Sequence, residues 1–405
     1  MKNFMFPVRK KNSLKKNSLL IGRSYIPILD KTSKESYQSY LLSIEEHYDS
    51  EEEFYLTKAV ERLHPGRLSG LLNALRYILA ERPKSFDVEE LEESERHMKS
   101  LLSYINNSRF EQQTLGEIER FVEYGYRRAV GLGRIYANKE STSASLWVPK
   151  IFRGFLFPNS VDIDLEASHY SILAFFAQKH NMKVPIIEGF ALKDEKVLKE
   201  RGSSDWNDKE VKVEFLKLLN YRRSYFQKAE GFRLRYQKEI ILLREQLMRQ
   251  VFENPDLTEE EDPICFKLNK FFSEKYKLLE TTDMEAFEVK IMSLYLHSVE
   301  SEVLCIILKY LKKKNIEDED YIFDGVLMFD GLYVSRKQFN PDDIHEINDF
   351  LLEKTGSKYL RVAIKDFGLL PEKYGKYIQI ALLVKNSDKL TNRSGLYDLI
   401  TEYIE

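Results

Sequence analysis

Residues 161–174 read Val161-Asp-Ile-Asp-Leu-Glu-Ala-Ser-His-Tyr-Ser-Ile-Leu-Ala174. Val161 to Leu165 is a short strand. It runs straight into a helical stretch from Ala167 to His180. A strand that feeds a helix, with acids at the junction, is where α/β arrangements place ligands. Carboxylates at such a strand end can hold Mg²⁺, which takes few, rigid oxygen ligands and fills its remaining positions with water or phosphate oxygens. Asp162 and Asp164 are expected to look to opposite sides of the strand, so that one of them enters a given cleft. The competing reading of these residues alone is a strand end with solvated acids.

Working outward, a second stretch runs Val326-Leu-Met-Phe-Asp-Gly-Leu-Tyr-Val334. Apolar residues on both sides of Asp330-Gly331 make a tight hairpin signature. Core packing does not explain an Asp at such a tip, although turn chemistry does. Asp324-Gly325 shows the same pair without a claim on chemistry. A third stretch, residues 212–225, puts Lys217, Tyr221 and Tyr225 at i, i+4 and i+8 on one helical stripe. A cation beside two aromatic faces suits a triphosphate with a base stacked next to it. A surface stripe on an amphipathic helix is the plainer alternative.

Together these stretches resemble the family A DNA polymerases and the related single-subunit RNA polymerases. That family's first palm motif is Asp-Tyr-Ser-x-x-Glu-x-Arg-x-Leu-Ala; Asp164 takes the Asp place, and Leu173 and Ala174 the final two. Its fingers helix reads Arg-x-x-x-Lys-x-x-x-Phe/Tyr-x-x-x-Tyr-Gly, the register of Lys217, Tyr221 and Tyr225. The 53 residues from Asp164 to Lys217 are close to the family's spacing. Its last palm motif, His-Asp-Glu in a hairpin, puts Asp330 at the Asp. Gly133-Arg134-Ile135-Tyr136 looks like the family's Gly-Arg-Leu-Ser, and Arg153 sits like the Arg before the first motif. The resemblance covers about residues 131–335. There are departures. His169 replaces the Glu that gates against a ribose 2′-hydroxyl, Val213 stands at the fingers Arg, Phe226 replaces the final Gly, and Phe329 and Gly331 flank Asp330. These put sugar selectivity in question, and the variant is reminiscent of polymerases of viruses, phages and mobile elements.

The resemblance implies a right-hand polymerase of α+β class, helix-rich, with an antiparallel-sheet palm, helical fingers and a helical thumb-like N-terminal region. It implies Asp164 and Asp330 as catalytic metal ligands, with the Leu165 carbonyl as a further oxygen, for two Mg²⁺ ions or Mn²⁺ in their place. It implies nucleotide binding by Lys217, Tyr221, Tyr225 and His169. Contacts to primer or template fall to Arg134, Arg153, Arg222 and Arg223. The expected function is DNA-dependent DNA polymerase without proofreading exonuclease, acting on primer-template with dNTPs and beside a helicase or other replication proteins. The alternatives are an RNA polymerase or primase using rNTPs, a Mg²⁺-dependent nuclease or glycosyltransferase built on Asp162-x-Asp164, and a nucleic-acid-binding protein with a degenerate palm.

Composition sets the frame. The 405 residues are 43% hydrophobic and 31% charged, a globular balance that excludes a disordered chain. A net charge of -3 gives no overall basic field, so a nucleic acid must be held by local patches. One such patch is Tyr221 to Arg249, with eight Lys or Arg against three Glu. Two cysteines, Cys265 and Cys305, exclude a Cys-rich zinc site and a disulfide framework, and fit a reducing compartment such as a host cytoplasm. No run of about 18 apolar residues is apparent, so no spanning helix is expected. Residues 1–33 read as a basic tail, a form that also suits a mitochondrial transit peptide or a nucleic-acid-binding arm.

The expected organisation is a helical thumb-like region at 34–130, palm at 131–180, fingers at 181–284, and palm with the C-terminal region at 285–405. Within it, Leu63 to Leu79 has helical spacing broken by Pro65, and Asp87 caps a helix to Ile105. A further helix starts near Thr114 with Glu117 in capping-box position, and Leu146 to Phe157 reads as strand. A solvated acidic loop spans 253–262, and a long helix Met284 to Lys314. The segment His297-Ser-Val-Glu-Ser-Glu302 on that helix could face the site.

Overall fold

The computed structural model describes residues 18–21, 24–27, 57–106, 112–114, 117–126, 131–137, 148–201, 215–216, 219, 230–279, 281–315, 322–365, 367, 370 and 372–384. Residues 1–52 form a unit of their own. In it, β1 (Ser18–Ile21) and β2 (Ser24–Pro27) pair antiparallel, Ser18 opposite Pro27. The basic segment therefore contains a short hairpin, where only a tail is expected.

In the second unit β3 (Thr57–Leu63) leads to α1 (Pro65–Glu81) and α2 (Val88–Asn106). Pro65 does not break the first helix; it starts it. A proline at the first helical position gives up an N–H that has no intrahelical partner anyway, and the His64 ring accepts from the Arg67 N–H at 3.3 Å. The Asp87 cap of α2 is present as a reciprocal box: Asp87 Oδ1 accepts from the Glu90 N–H at 2.9 Å, and Glu90 Oε2 from the Asp87 N–H at 3.1 Å.

The helix expected from Thr114 is instead β4 (Gln112–Thr114) and β5 (Glu117–Tyr126), antiparallel, with Thr114 opposite Glu117. Residues 118, 122, 124 and 126 are all apolar or aromatic at even positions, and Val122 and Tyr124 are buried, the period of a strand. So the described part of the 34–130 region mixes helices and strands. After β6 (Ile135–Ala137), the strand expected over Leu146 to Phe157 is replaced by helix α3 (Lys150–Leu156). Pro149 precedes it, and Phe152 and Leu156, four apart, bury one face.

Next come β7 (Ser160–Leu165), α4 (Ser168–Lys179), α5 (Pro185–Ala191) and α6 (Glu195–Arg201). They are followed by α7 (Gly231–Phe252), α8 (Pro263–Lys277) and the 34-residue α9 (Thr281–Lys314). The acidic segment 253–262 is a loop, but its last acid is not solvated: Asp262 is buried, and its Oδ1 accepts from the Cys265 N–H at 2.9 Å to cap α8. The chain then forms β8 (Phe323–Leu327), β9 (Gly331–Ser335), a 3-10 turn, α10 (Ile344–Thr355), β10 (Val362–Lys365) and α11 (Glu372–Val384).

The fold is helix-rich α+β with a mixed sheet ordered β10-β7-β9-β8-β3-β5-β4, β6 lying on β5. The four strands β10-β7-β9-β8 are antiparallel throughout, and β3 joins β8 in parallel. Taken with their helices these four strands run β-α-β-β-α-β, two interleaved split β-α-β units. The first crosses over through the long helical segment from α4 to α9, the second through α10. A separate apolar cluster joins α1, α2 and α3 to α11 through Leu71, Leu75, Phe152, Tyr374 and Ile378, so this layer is built from both ends of the unit. By length and composition alone, α9 contains a window apolar enough to cross a membrane; 61% of that window is buried inside the protein.

Candidate active site

The acids come from β7. Asp162 and Asp164 do not look to opposite sides. Residues two apart in a strand share a face, so Val161, Ile163 and Leu165 pack on one side and both acids lie on the other. Both are 7% exposed. β9 and β10 flank them: Asp164 sits opposite Gly331 and Ala363, and Asp162 opposite Tyr333 and Lys365. The strands close tightly at that point. A Cβ on Gly331 would lie 2.4 Å from the Ile163 carbonyl oxygen and 2.8 Å from Asp164 Oδ1, so only glycine lets β9 approach.

Asp330 stands at the tip of the β8–β9 hairpin, which is closed by the Met328 N–H donating to the Gly331 carbonyl at 2.8 Å. The Leu165 N–H donates to the Asp330 carbonyl at 2.9 Å, tying the tip to the end of β7. The other Asp-Gly pair plays a different part. Asp324 lies within β8 and pairs with Arg62 of β3 at 3.0 Å.

Three carboxylates in one partly buried corner need compensation. Burial pushes Asp162 up to about 6; Lys365, Lys150 and Arg153 pull it down, and Asp330 pushes it further up. Burial also raises Asp330, followed by the Glu300 charge, with Arg134 opposing. Lys365 ion-pairs with Asp164. Its own ammonium is pushed below the usual lysine range by burial and by Lys150, with Asp162 opposing. Arg153 is fixed by donating Nε to the Val148 carbonyl at 2.8 Å and Nη1 to the Tyr333 hydroxyl at 3.1 Å.

The other wall is α9. Gly133, at φ 88°, is clamped to it: its N–H donates to Ser298 Oγ and its carbonyl accepts from Ser301 Oγ, both at 2.8 Å. This aims Arg134 at Glu300. Arg134 donates Nε to Glu300 Oε2 at 2.8 Å, and its guanidinium lies 4.6 Å from the Phe329 ring centroid. Ser168 Oγ donates to Glu300 Oε1 at 2.8 Å, and His169 Nε2 lies 3.3 Å from the same oxygen. Burial alone would raise the Glu300 carboxyl; the His169 hydrogen bond and the Arg134 charge outweigh it and hold it at about 2. His297 is pushed down to about 4 by burial and by Arg134, so its ring is neutral at pH 7.

No protein-family model and no curated protein sequence matches this chain.

Of the residues expected from the sequence, Asp164, Asp330, Leu165, His169, Arg134 and Arg153 come together around this corner. Lys217, Tyr221, Arg222, Arg223 and Tyr225 lie outside the described residues. Their neighbours Phe215 and Leu219 are buried, and the Phe215 carbonyl accepts from the Tyr236 hydroxyl of α7 at 2.9 Å. The segment from His297 to Glu302 does face the site through Ser298, Glu300 and Ser301. Lys365, Lys150, Ser168 and Tyr333 were not foreseen. Lys365 ends β10, and its partner depends on strand order, which no local pattern encodes. Two further histidines are structural: His64 caps α1, and the His97 ring packs against Phe152 at 5.2 Å.

Proposed function

We propose that this protein catalyses template-directed nucleotidyl transfer, as a DNA-dependent DNA polymerase without a proofreading nuclease. The observation that carries the reading is the placement of Asp164 and Asp330 at touching ends of β7 and the β8–β9 hairpin, with Asp162 on the same face. Two stretches far apart in the chain, each weak alone, meet in one corner, which supports the reading. The donors also suit Mg²⁺: they are carboxylate oxygens, and burial raises both Asp162 and Asp330, so a bound cation would favour their ionised forms.

Asp164 and Asp330 would hold the metals, with the Leu165 carbonyl as a further oxygen. Bound Mg²⁺ would supply activation of a primer 3′-oxygen and charge stabilisation for the departing pyrophosphate. The chain's own groups bind and orient. Lys217 neutralises the triphosphate, Tyr221 stacks near sugar and base, and Tyr225 stands at the template base. Arg134, Arg153, Arg222 and Arg223 serve the primer-template. His169, held against Glu300, presents a fixed ring at the position that discriminates the sugar, and its bulk favours dNTPs over rNTPs. Catalysis of this kind is positioning plus charge stabilisation.

A second reading draws on the Lys365–Asp164 ion pair. A lysine that neutralises a metal-binding acid suits a nucleic-acid-binding protein whose palm no longer turns over. Extension of a labelled primer-template with Mg²⁺, dNTPs and rNTPs in separate tubes, separates the two. Template-copied extension that vanishes in Asp164→Asn and Asp330→Asn supports the polymerase, and the productive nucleotide set decides DNA against RNA. Tight primer-template binding without extension in either tube, unchanged in Asp164→Asn, supports the binding protein.

A further inference from the structure

Glu300 carries more than its ion pair with Arg134. His297 lies one turn before it on α9, at the i, i+3 spacing that puts two side chains on one helix face. His169 comes to the same point from the first turn of α4. One ligand atom from each of His169, His297 and Glu300 lies within 4.8 Å of the other two. The two imidazole rings are 6.3 Å apart between centroids, tilted at 47°.

One donor pair has the spacing that a small tetrahedral ion requires. With metal–ligand bonds of about 2.0–2.1 Å, two donors on a tetrahedron are about 3.3–3.4 Å apart. His169 Nε2 and Glu300 Oε1 are 3.3 Å apart. Glu300 is held from both oxygens: Arg134 donates Nε to Oε2 at 2.8 Å and Nη2 to Oε1 at 3.4 Å, and Ser168 Oγ donates to Oε1 at 2.8 Å. Metal-ligating carboxylates are ordinarily fixed by such outer hydrogen bonds. The Arg134 charge does not leave the corner cationic, because Asp330 faces it as well as Glu300.

We propose that His169, His297 and Glu300 form a three-ligand site for one divalent transition-metal ion of the Zn²⁺ type, beside the Asp164–Asp330 corner and chemically distinct from it. Two imidazoles and one carboxylate select Zn²⁺, Co²⁺, Mn²⁺ or Fe²⁺, whereas Mg²⁺ takes oxygen donors. Three protein ligands leave a fourth position for water or a ligand oxygen. An ion here pins the first turn of α4 to α9, and so fixes His169. The site shares His169 with the polymerase reading, but its donors do not include Asp162, Asp164 or Asp330, so the two readings are tested separately.

The test is Co²⁺ titration of the full, untagged chain after chelator treatment, read by visible ligand-field absorption. The expected result is one equivalent of Co²⁺ with the intense bands of four- or five-coordination, displaced one-for-one by Zn²⁺ and retained in excess Mg²⁺. His297→Gln and His169→Gln should each weaken Co²⁺ binding by more than the about 10–100-fold that loss of an outer partner costs. Asp330→Asn should keep the bands, and circular dichroism shows that each variant is folded. Absence of bands in the folded wild type overturns the proposal. So do bands that survive both histidine variants, or full displacement by Mg²⁺. Primer extension is not the readout, so failure here leaves the polymerase question where it stood, and the reverse also holds.

Discussion

Asp162→Asn should stabilise the protein at neutral pH. Asp162 is 7% exposed, and burial, with Asp330 beside it, lifts its carboxyl from the ordinary 3.8 to about 6 despite Lys365, Lys150 and Arg153. At about 1.36 kcal/mol per pK unit, that rise corresponds to about 3 kcal/mol of strain in the ionised form. Water reaching the mouth of the corner screens part of it, leaving about 1–3 kcal/mol. The sign follows from linkage. Between about pH 4 and pH 6 the folded state keeps a proton that the unfolded state has lost. Stability therefore falls as pH rises through that window, and the penalty is complete above it. Asn has nearly the same shape and no charge to bury. Urea denaturation at pH 7.5 should show the variant more stable by that amount, with an unchanged m-value, and the difference should shrink to nothing near pH 4. A variant equally or less stable at pH 7.5, or a gain that persists at pH 4, would refute the reasoning.

Other substitutions probe neighbouring parts of the same corner. Gly331→Ala forces a methyl to 2.4 Å from the Ile163 carbonyl; a loss of about 1–3 kcal/mol is expected by urea denaturation, whereas an unchanged midpoint would mean that β7 and β9 do not approach so closely. Glu300→Gln removes the buried carboxylate that pairs with Arg134 and should cost about 3 kcal/mol. With Glu300 held at about 2, its contribution is complete above pH 4.5 and lost as pH falls from 4.5 toward 2, so the wild type and variant should converge in acid. Asp87→Ala removes the cap of α2 and should lower stability by about 1 kcal/mol with Co²⁺ binding unchanged.

The sequence carries the β7–α4 junction, the hairpin around Asp330-Gly331 and the long helix α9 because each is written locally, in alternation, a turn pair or helical spacing. Two elements are hidden for local reasons. Thr114 and Glu117 imitate a capping box, yet they face each other across β4 and β5, and the even-position pattern of 118 to 126 outweighs the imitation. Residues 150–156 form fewer than two helical turns, too short for periodicity to separate from a strand. The period of two that defines β7 also puts Asp162 and Asp164 on one face, so the corner holds three acids rather than two once Asp330 arrives. What no local pattern holds is the register between distant strands. Lys365 meets Asp164 only because β10 lies beside β7, and Arg134 meets Glu300 only because two serines of α9 grip Gly133.

The central claim is that Asp164 and Asp330 act together on a templated nucleotide. Single-turnover addition of one nucleotide to an annealed primer, with the templating base varied through all four, tests it most directly. The account predicts Mg²⁺-dependent addition of the complementary nucleotide each time, lost in both Asp164→Asn and Asp330→Asn while primer-template affinity is kept. Addition that ignores the templating base, or that survives either substitution, would contradict it.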